Sequence, residues 1–408
     1  MLFRELLFKE LEDRSGEFTR FAADWEAAKK HYSAILSDLP SADPAEVRRR
    51  FAGEENIGAL PSDELDKASG PAFSFSEKWH NHEQARKWAL TVLENRTTFA
   101  ADGSQISPDK NISLPFAAVQ IGWFENHHTN GENGAKGGDS GSYIKDARFV
   151  IISPDDLMYS GSDSGENSNQ ETRVGLRRFT EEIDEAKRFL ESKRGWQSRG
   201  EKMPLAFFDG TLLISISLPK SKIQGQYAAK TLELVRTSEE TRVPLVGYID
   251  RSEACDVVKL LDHLNDGKLA DSRATVYDPH IISFENWGDR SIFYYCRRQN
   301  LSEFYDEEKQ RALVGFVYLQ TTGNETPARL DIPAWIYEDG LVDEVIDTAR
   351  AECVIGLGYP YPLEAADATA VIGTAERDSF LRALQEFAKK NNLPFSVSRK
   401  SASKGRRR

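Results

Sequence analysis

Phe99-Ala-Ala-Asp102-Gly103-Ser104 and Leu205-Ala-Phe-Phe208-Asp209-Gly210-Thr211 carry one signal twice: an apolar run, an aspartate, a glycine and a hydroxyl. An apolar run this short, bounded by glycine, reads as a buried strand. A carboxylate at the end of such a strand projects its oxygens where a second strand of the same kind can share a divalent cation with it. The glycine lets the backbone turn tightly after the acid. Asp-Gly is also the commonest two-residue hairpin turn, so either copy taken alone reads more readily as a turn.

Outward from these two runs, strand texture recurs at residues 117–124, 149–152, 212–218, 243–249, 292–296 and 314–319. Helical periodicity predicts helices near residues 176–190, 228–237, 252–264, 341–353, 363–372 and 377–390. Alternating strands and helices with some hairpins predict an α/β fold, a mixed sheet flanked by helices. The first hundred residues read differently. Leu2, Leu6, Leu7, Phe18, Phe21, Trp25, Ala28, Tyr32 and Ile35 recur at three-to-four spacing, and Asp43 with Pro44 marks a helix start. The expected order is therefore a helical N-terminal extension over residues 1–95, an α/β domain over 96–396, and a basic tail over 397–408. The glycine-rich stretch 126–142 and the Ser/Asp/Asn-rich stretch 160–171 are expected as long loops.

Composition bounds the function classes. The chain has 408 residues, 39% hydrophobic and 29% charged, which suits a soluble globular protein. Its longest uncharged apolar stretches are strand-sized, far short of the roughly 20 residues a membrane helix needs. Arg4, Glu5, Lys9 and Glu10 interrupt the N-terminus, which lacks the apolar core of a signal peptide, so a cytoplasmic protein is expected. Three scattered cysteines, Cys255, Cys296 and Cys353, support neither a disulfide framework nor a zinc knuckle and are expected in the core. His80 with His82, and His127 with His128, lack a third ligand at zinc-like spacing and are expected on the surface. No Walker-type loop and no Gly-x-Ser-x-Gly elbow occurs.

Fifty-three basic against 65 acidic side chains leave a net charge of −12, which excludes generic affinity for nucleic acid over the whole surface. The tail is the exception. Arg399, Lys400, Lys404, Arg406, Arg407 and Arg408 stand together without an acid, able to meet phosphate through counterion release or simply to form a solubilising end.

The order of several segments resembles the NurA nuclease family. Asp102-Gly103-Ser104 opens the resemblance, Asp209-Gly210-Thr211 follows at the end of a later apolar strand, and Tyr359-Pro-Tyr-Pro-Leu363 stands near the C-terminus. Gly247-Tyr-Ile-Asp-Arg251, Arg329-Leu-Asp-Ile-Pro-Ala-Trp335 and Ser398-Arg-Lys400 are also similar to family segments, so that the resemblance covers roughly residues 95 to 400.

That resemblance implies an RNase H-like core, Mn2+- or Mg2+-dependent hydrolysis of DNA, a homodimer that admits DNA, and partnership with a HerA-type hexameric translocase in end processing, repair or defence. The chemistry agrees, since two ions held by carboxylates can activate water and stabilise both the transition state and the leaving oxygen. A family glutamate precedes the second Asp-Gly on a helix. Among the acids at 181–185, periodicity puts Glu182 at the border of the stripe Leu176, Phe179, Ile183, Ala186 and Leu190, with Glu181 nearly opposite. Tyr359 matches a family tyrosine near the active site, suited to donate to a phosphate oxygen. Asp367, eight residues later, occupies the position of a metal-site histidine in archaeal members.

The expected catalytic set is thus Asp102, Glu182, Asp209 and Tyr359, with Asp102, Glu182, Asp209 and Asp367 around two ions and Arg399, Lys400, Lys404 and Arg406 on DNA. Asp250 and Asp331, at strand ends, are left outside it. The competing readings are a non-catalytic ring that guides DNA for a partner ATPase and a metal-independent two-carboxylate enzyme such as a glycosidase.

Overall fold

The computed structural model describes residues 3–39, 43–51, 53–54, 56–68, 72–110, 112–129, 142–158, 170–214, 222–265, 275–298, 301–323 and 326–396. The basic tail and most of both expected loops, residues 130–141 and 159–169, lie outside the described residues. Packing divides the chain into two compact units, residues 81–246 with 343–408, and residues 1–80 with 247–342. The expected partition into 1–95 and 96–396 follows chain order. Packing does not, because the N-terminal helices share a core with residues 247–342.

In the first unit, strands β1 (Thr98–Ile106), β2 (Ala117–Asn126), β3 (Tyr143–Ile152), β4 (Leu205–Asp209) and the start of β5 (Leu245–Ile249) lie in the order β5-β4-β1-β2-β3. β1, β2 and β3 form an antiparallel meander, whereas β4 runs parallel to β1, so the sheet is mixed. β4 and β5 read as continuous apolar runs because both faces are covered. β3 is an edge strand, largely exposed, and only its last residues carry a strand signal in the sequence.

Helices α1 (Gln170–Ser192), α2 (Lys222–Thr241), α3 (Val342–Ile355) and α4 (Tyr361–Ala370) pack about this sheet. Phe189 of α1 stacks on Phe99 of β1, with ring centroids 4.4 Å apart. The strand expected over residues 212–218 is not formed in its described part. Gly210 turns the chain at φ +111°, and Thr211 Oγ1 accepts the Leu213 N–H at 2.9 Å, removing a donor that a strand ladder would use. His128 is not on the surface as expected. Its ring spans the Arg96 carbonyl (2.7 Å) and the fully buried Glu352 carboxylate (3.3 Å), to which Thr98 also donates (2.7 Å).

In the second unit, helices Arg4–Asp13, Ser15–Asp38 and Pro44–Arg50 precede an antiparallel sheet of Gly58–Pro61, Tyr294–Arg297, Val314–Leu319 and Ala328–Pro333. Asp43 caps its helix through the Ala45 N–H, as the sequence predicts. The core is unusually charged. Arg329, 1% exposed, donates to Asp331 (2.7 Å) and Asp256 (2.6 Å), and Arg298 grips Asp256 with two further bonds of 2.8 Å. The Asp278 carboxylate accepts the N–H groups of Asp256, Val257 and Val258, closing the start of helix Asp256–Leu264. All three cysteines are free; Cys296 and Cys353 are buried and Cys255 is half-buried. No helix among the described residues is long and apolar enough to cross a membrane.

Removing one partner of a buried ion pair strands the other charge, which costs about 3–5 kcal/mol. Arg329→Met is therefore expected to lower unfolding free energy by that amount or to abolish soluble expression. A denaturant midpoint equal to wild type would show that the buried pair is not structural.

Candidate active site

The register of two parallel strands builds the site. Ala101 lies opposite Phe208 at the last paired position of β1 and β4, so the next residues, Asp102 and Asp209, stand side by side. Asp102 is half-buried within β1, and Asp209 ends β4. The two Asp-Gly copies differ from here on. After Asp209 the chain turns at Gly210, as the sequence predicts. After Asp102 there is no turn, because β1 continues to Ile106.

Gly103 has a different use. A Cβ built on it would lie 2.4 Å from Glu182 Oε1 and 2.8 Å from Arg178 Cγ, so the missing side chain is the space in which α1 brings its carboxylate against the strand. Residues alternate faces along a strand, and directly opposed residues share one. Asp102 and Ser104 therefore share a face with their partners Gly122 and Gln120, while Gly103 points to the other.

α4 covers the Asp102 face. Ser104 Oγ donates to the Ala370 carbonyl (2.7 Å), and Gln120 Nε2 donates to the same oxygen (3.1 Å). A Cβ at Gly122 would meet backbone atoms of Ala370 and Thr369 at 2.5 and 2.7 Å, so only glycine admits the helix. This docking brings Asp367 beside Asp102, whose carboxyl its charge pushes up. Tyr359, just before α4, donates its hydroxyl to Asp209 Oδ1 (3.1 Å), so in this structure its partner is the carboxylate.

Glu182 is 9% exposed and Glu181 5%, which corrects the expectation that Glu181 faces away from the core. Glu181 is held by Arg148 of β3 (2.7 Å) and Arg177 (2.6 Å). Glu182 instead packs against β1 at Gly103, near enough for Asp102 and Asp209 to raise its proton affinity. Arg178 Nη1 lies 3.2 Å from Glu182 Oε1 but donates to the Gly103 carbonyl (2.8 Å), leaving that buried carboxylate oxygen without a hydrogen bond. Sequence reasoning missed Arg178, although its i,i+4 spacing from Glu182 is a legible pairing signal.

Electrostatics ties the acids together. Burial lifts the Asp102 carboxyl to about 6; the Gly103 N–H pulls it down, and Asp209 and Asp367 push it up. Burial lifts Glu182 to about 8, opposed by Arg178 and reinforced by Asp102 and Asp209. Asp209 is raised as well, by burial first, against the Tyr359 hydrogen bond. Among the described residues no three His, Cys, Asp or Glu side chains are gathered tightly enough to grip an ion as they stand. The donors nonetheless suit one: all are carboxylate oxygens, the choice of Mg2+ and Mn2+, and one is buried without a hydrogen bond.

A family model described as the NurA domain matches residues 96–372. The chain belongs to the NurA family. All four carboxylates and Tyr359 fall inside the matched span. Two solved structures are similar to this NurA-family chain. A crystal structure of NurA with manganese shares 10% identity over 71% of this chain and 88% of that one, with a TM-score of 0.36. A crystal structure of NurA shares 9% over the same fractions, with a TM-score of 0.38. No curated protein matches the chain. The tail residues expected on DNA, Arg399, Lys400, Lys404 and Arg406, lie outside the described residues.

A carboxyl raised in the folded state holds a proton that the unfolded chain has already lost, so folding stability falls as pH rises from the ordinary glutamate range toward 8. Glu182→Gln removes that penalty. In chelator, its melting temperature is expected to exceed wild type at pH 8 and to match it near pH 4.5. A difference independent of pH would contradict the strained glutamate.

Proposed function

We propose that this NurA-family protein is a metal-dependent DNA nuclease that hydrolyses phosphodiester bonds with two divalent ions held among Asp102, Asp209, Asp367 and Glu182. The observation that carries this reading is that Asp209 and Asp367 both push up the Asp102 carboxyl and Asp367 pushes up Asp209, with Glu182 buried against β1 at the neighbouring Gly103. Acids kept together against their mutual repulsion are the usual mark of a functional site. Divalent cations bound there would supply a nucleophilic water and relieve charge on the transition state. A NurA structure solved with manganese makes Mn2+ the first ion to try, with Mg2+ the second.

The chain's own groups position and tune the site. Tyr359 steadies Asp209 through its hydroxyl and stands where a phosphate oxygen could become its second partner. Arg178 braces Glu182 against β1 by way of the Gly103 carbonyl. Asp102 and Glu182 hold their protons well above the ordinary carboxylate range and must release them before acting as ligands. The strand order β5-β4-β1-β2-β3, with β4 parallel to β1, supports the RNase H-like reading. With no nucleotide-binding loop of Walker type in the sequence, movement of DNA falls to a HerA-type hexameric translocase. The protein itself would act as a cytoplasmic homodimer in end processing, repair or defence, its basic tail adding phosphate contacts.

The test is cleavage of labelled single- and double-stranded DNA by the purified protein with Mn2+, Mg2+ or chelator. Asp102→Asn and Asp209→Asn are expected to lower cleavage by more than about a thousandfold with the fold intact. Asp367→Asn is expected to cost at least about tenfold, roughly 1.4 kcal/mol of transition-state stabilisation. Cleavage that persists in chelator would remove the metal from the mechanism. A folded protein inactive with either ion would point to a DNA-guiding ring subunit.

A further inference from the structure

The unit of residues 1–80 and 247–342 holds a cavity of about 490 Å³ that the carboxylate site does not use. Four arginines line it, Arg48, Arg49, Arg297 and Arg311, against a single acid, Asp63. In a chain of net charge −12 that is a concentrated positive site.

Two of the four are already engaged. Arg48 pairs with Asp63 and donates to the Pro61 carbonyl, and Arg311 pairs with Glu338 at 3.0 Å. The other two are not neutralised. Arg49 is exposed and makes no ion pair among the described residues. Arg297 lies over the Tyr305 ring, 4.1 Å from its centroid, and reaches only the Glu54 carbonyl, at 3.3 Å. Its Nε is buried without a hydrogen bond.

The negative end of helix Pro44–Arg50 would by itself favour the arginines of its last turn. It does not explain why Arg297, from a strand of the neighbouring sheet, and Arg311, from the separate ribbon of Tyr305–Asp306 and Arg311–Ala312, enter the same space. Buried guanidinium N–H groups left without acceptors are costly, and their fork geometry matches a phosphate. A cavity of this volume accommodates a nucleotide-sized ligand. Tyr295 and Tyr305 wall it with rings against which a base or sugar can pack.

We propose that this cavity binds a nucleotide through its phosphate, with Arg49 and Arg297 on the phosphate oxygens and the two tyrosines beside the base. The ligand is either a free mononucleotide or the phosphorylated terminal unit of a DNA strand. Arg48 and Arg49 come from residues ahead of the span that the NurA model matches, whereas Arg297, Arg311 and both tyrosines lie within it.

Binding is measured on the full chain in chelator, where neither cleavage nor the carboxylate site contributes, so this result stands apart from the nuclease reading. The probes are dAMP, adenosine, and one short single-stranded oligonucleotide with either a 5′-phosphate or a 5′-hydroxyl, at low and moderate salt. dAMP is expected to bind at least about tenfold tighter than adenosine, or the phosphorylated oligonucleotide tighter than the hydroxylated one by a similar factor. Arg49→Gln and Arg297→Gln should each weaken the phosphorylated probe about tenfold, Arg49→Gln without altering the melting temperature. Binding of dAMP alone would identify a free nucleotide as the ligand, and preference for the phosphorylated strand alone would identify a DNA end. Probes bound equally with and without phosphate, variants that bind as wild type, or no binding of any probe would overturn the proposal.

Discussion

Two aspartates stand side by side where β1 and β4 leave off pairing, and their like charges repel. The parallel register that leaves Asp102 beside Asp209 is set by four paired positions of apolar backbone, from Thr98 opposite Leu205 to Ala101 opposite Phe208. The hydrophobic covering of those strands therefore holds the acids in place regardless of their preference to separate. Glu182 and Asp367 add to the strain from the two helices that cover the sheet. Each is admitted by a glycine, Gly103 for the carboxylate of α1 and Gly122 for the backbone of α4. Tyr359 and Arg178 then offset part of the charge with one hydrogen bond and one ion pair.

The aspartates and the strands that carry them were legible because apolar runs ending in Asp-Gly are a local pattern. What lay beyond that pattern was long-range. Gly103 reads as a turn residue in sequence, and only α1, seventy-odd positions away, reveals that its missing Cβ makes room for Glu182. Helical periodicity selected Glu182 but misjudged Glu181, since burial of Glu181 depends on Arg148 from an edge strand whose first residues show no apolar run. The strand expected after Thr211 failed for a local reason, the hydroxyl that captures the Leu213 N–H. His127 and His128 follow the end of β2, where the buried Glu352, far along the chain, draws the second ring inward.

Buried acids in this chain meet two kinds of surroundings. In the unit of residues 1–80 and 247–342, Arg329 and Arg298 sit against Asp256 and Asp331, and the Asp256 carboxyl is held down to about 2 by those arginines despite its burial. Those acids are neutralised by protein and have a structural account. Around Asp102, acids outnumber the one nearby arginine, and burial raises their proton affinity instead.

The most direct measurement of the central claim is anomalous scattering at the manganese edge from crystals of the protein soaked in Mn2+, compared with crystals of Asp102→Asn soaked alike. The account predicts manganese peaks bounded by Asp102, Asp209 and Asp367, with Glu182 turned toward them, and their loss or marked weakening in the variant. Manganese bound elsewhere, or unchanged peaks in Asp102→Asn, would contradict it.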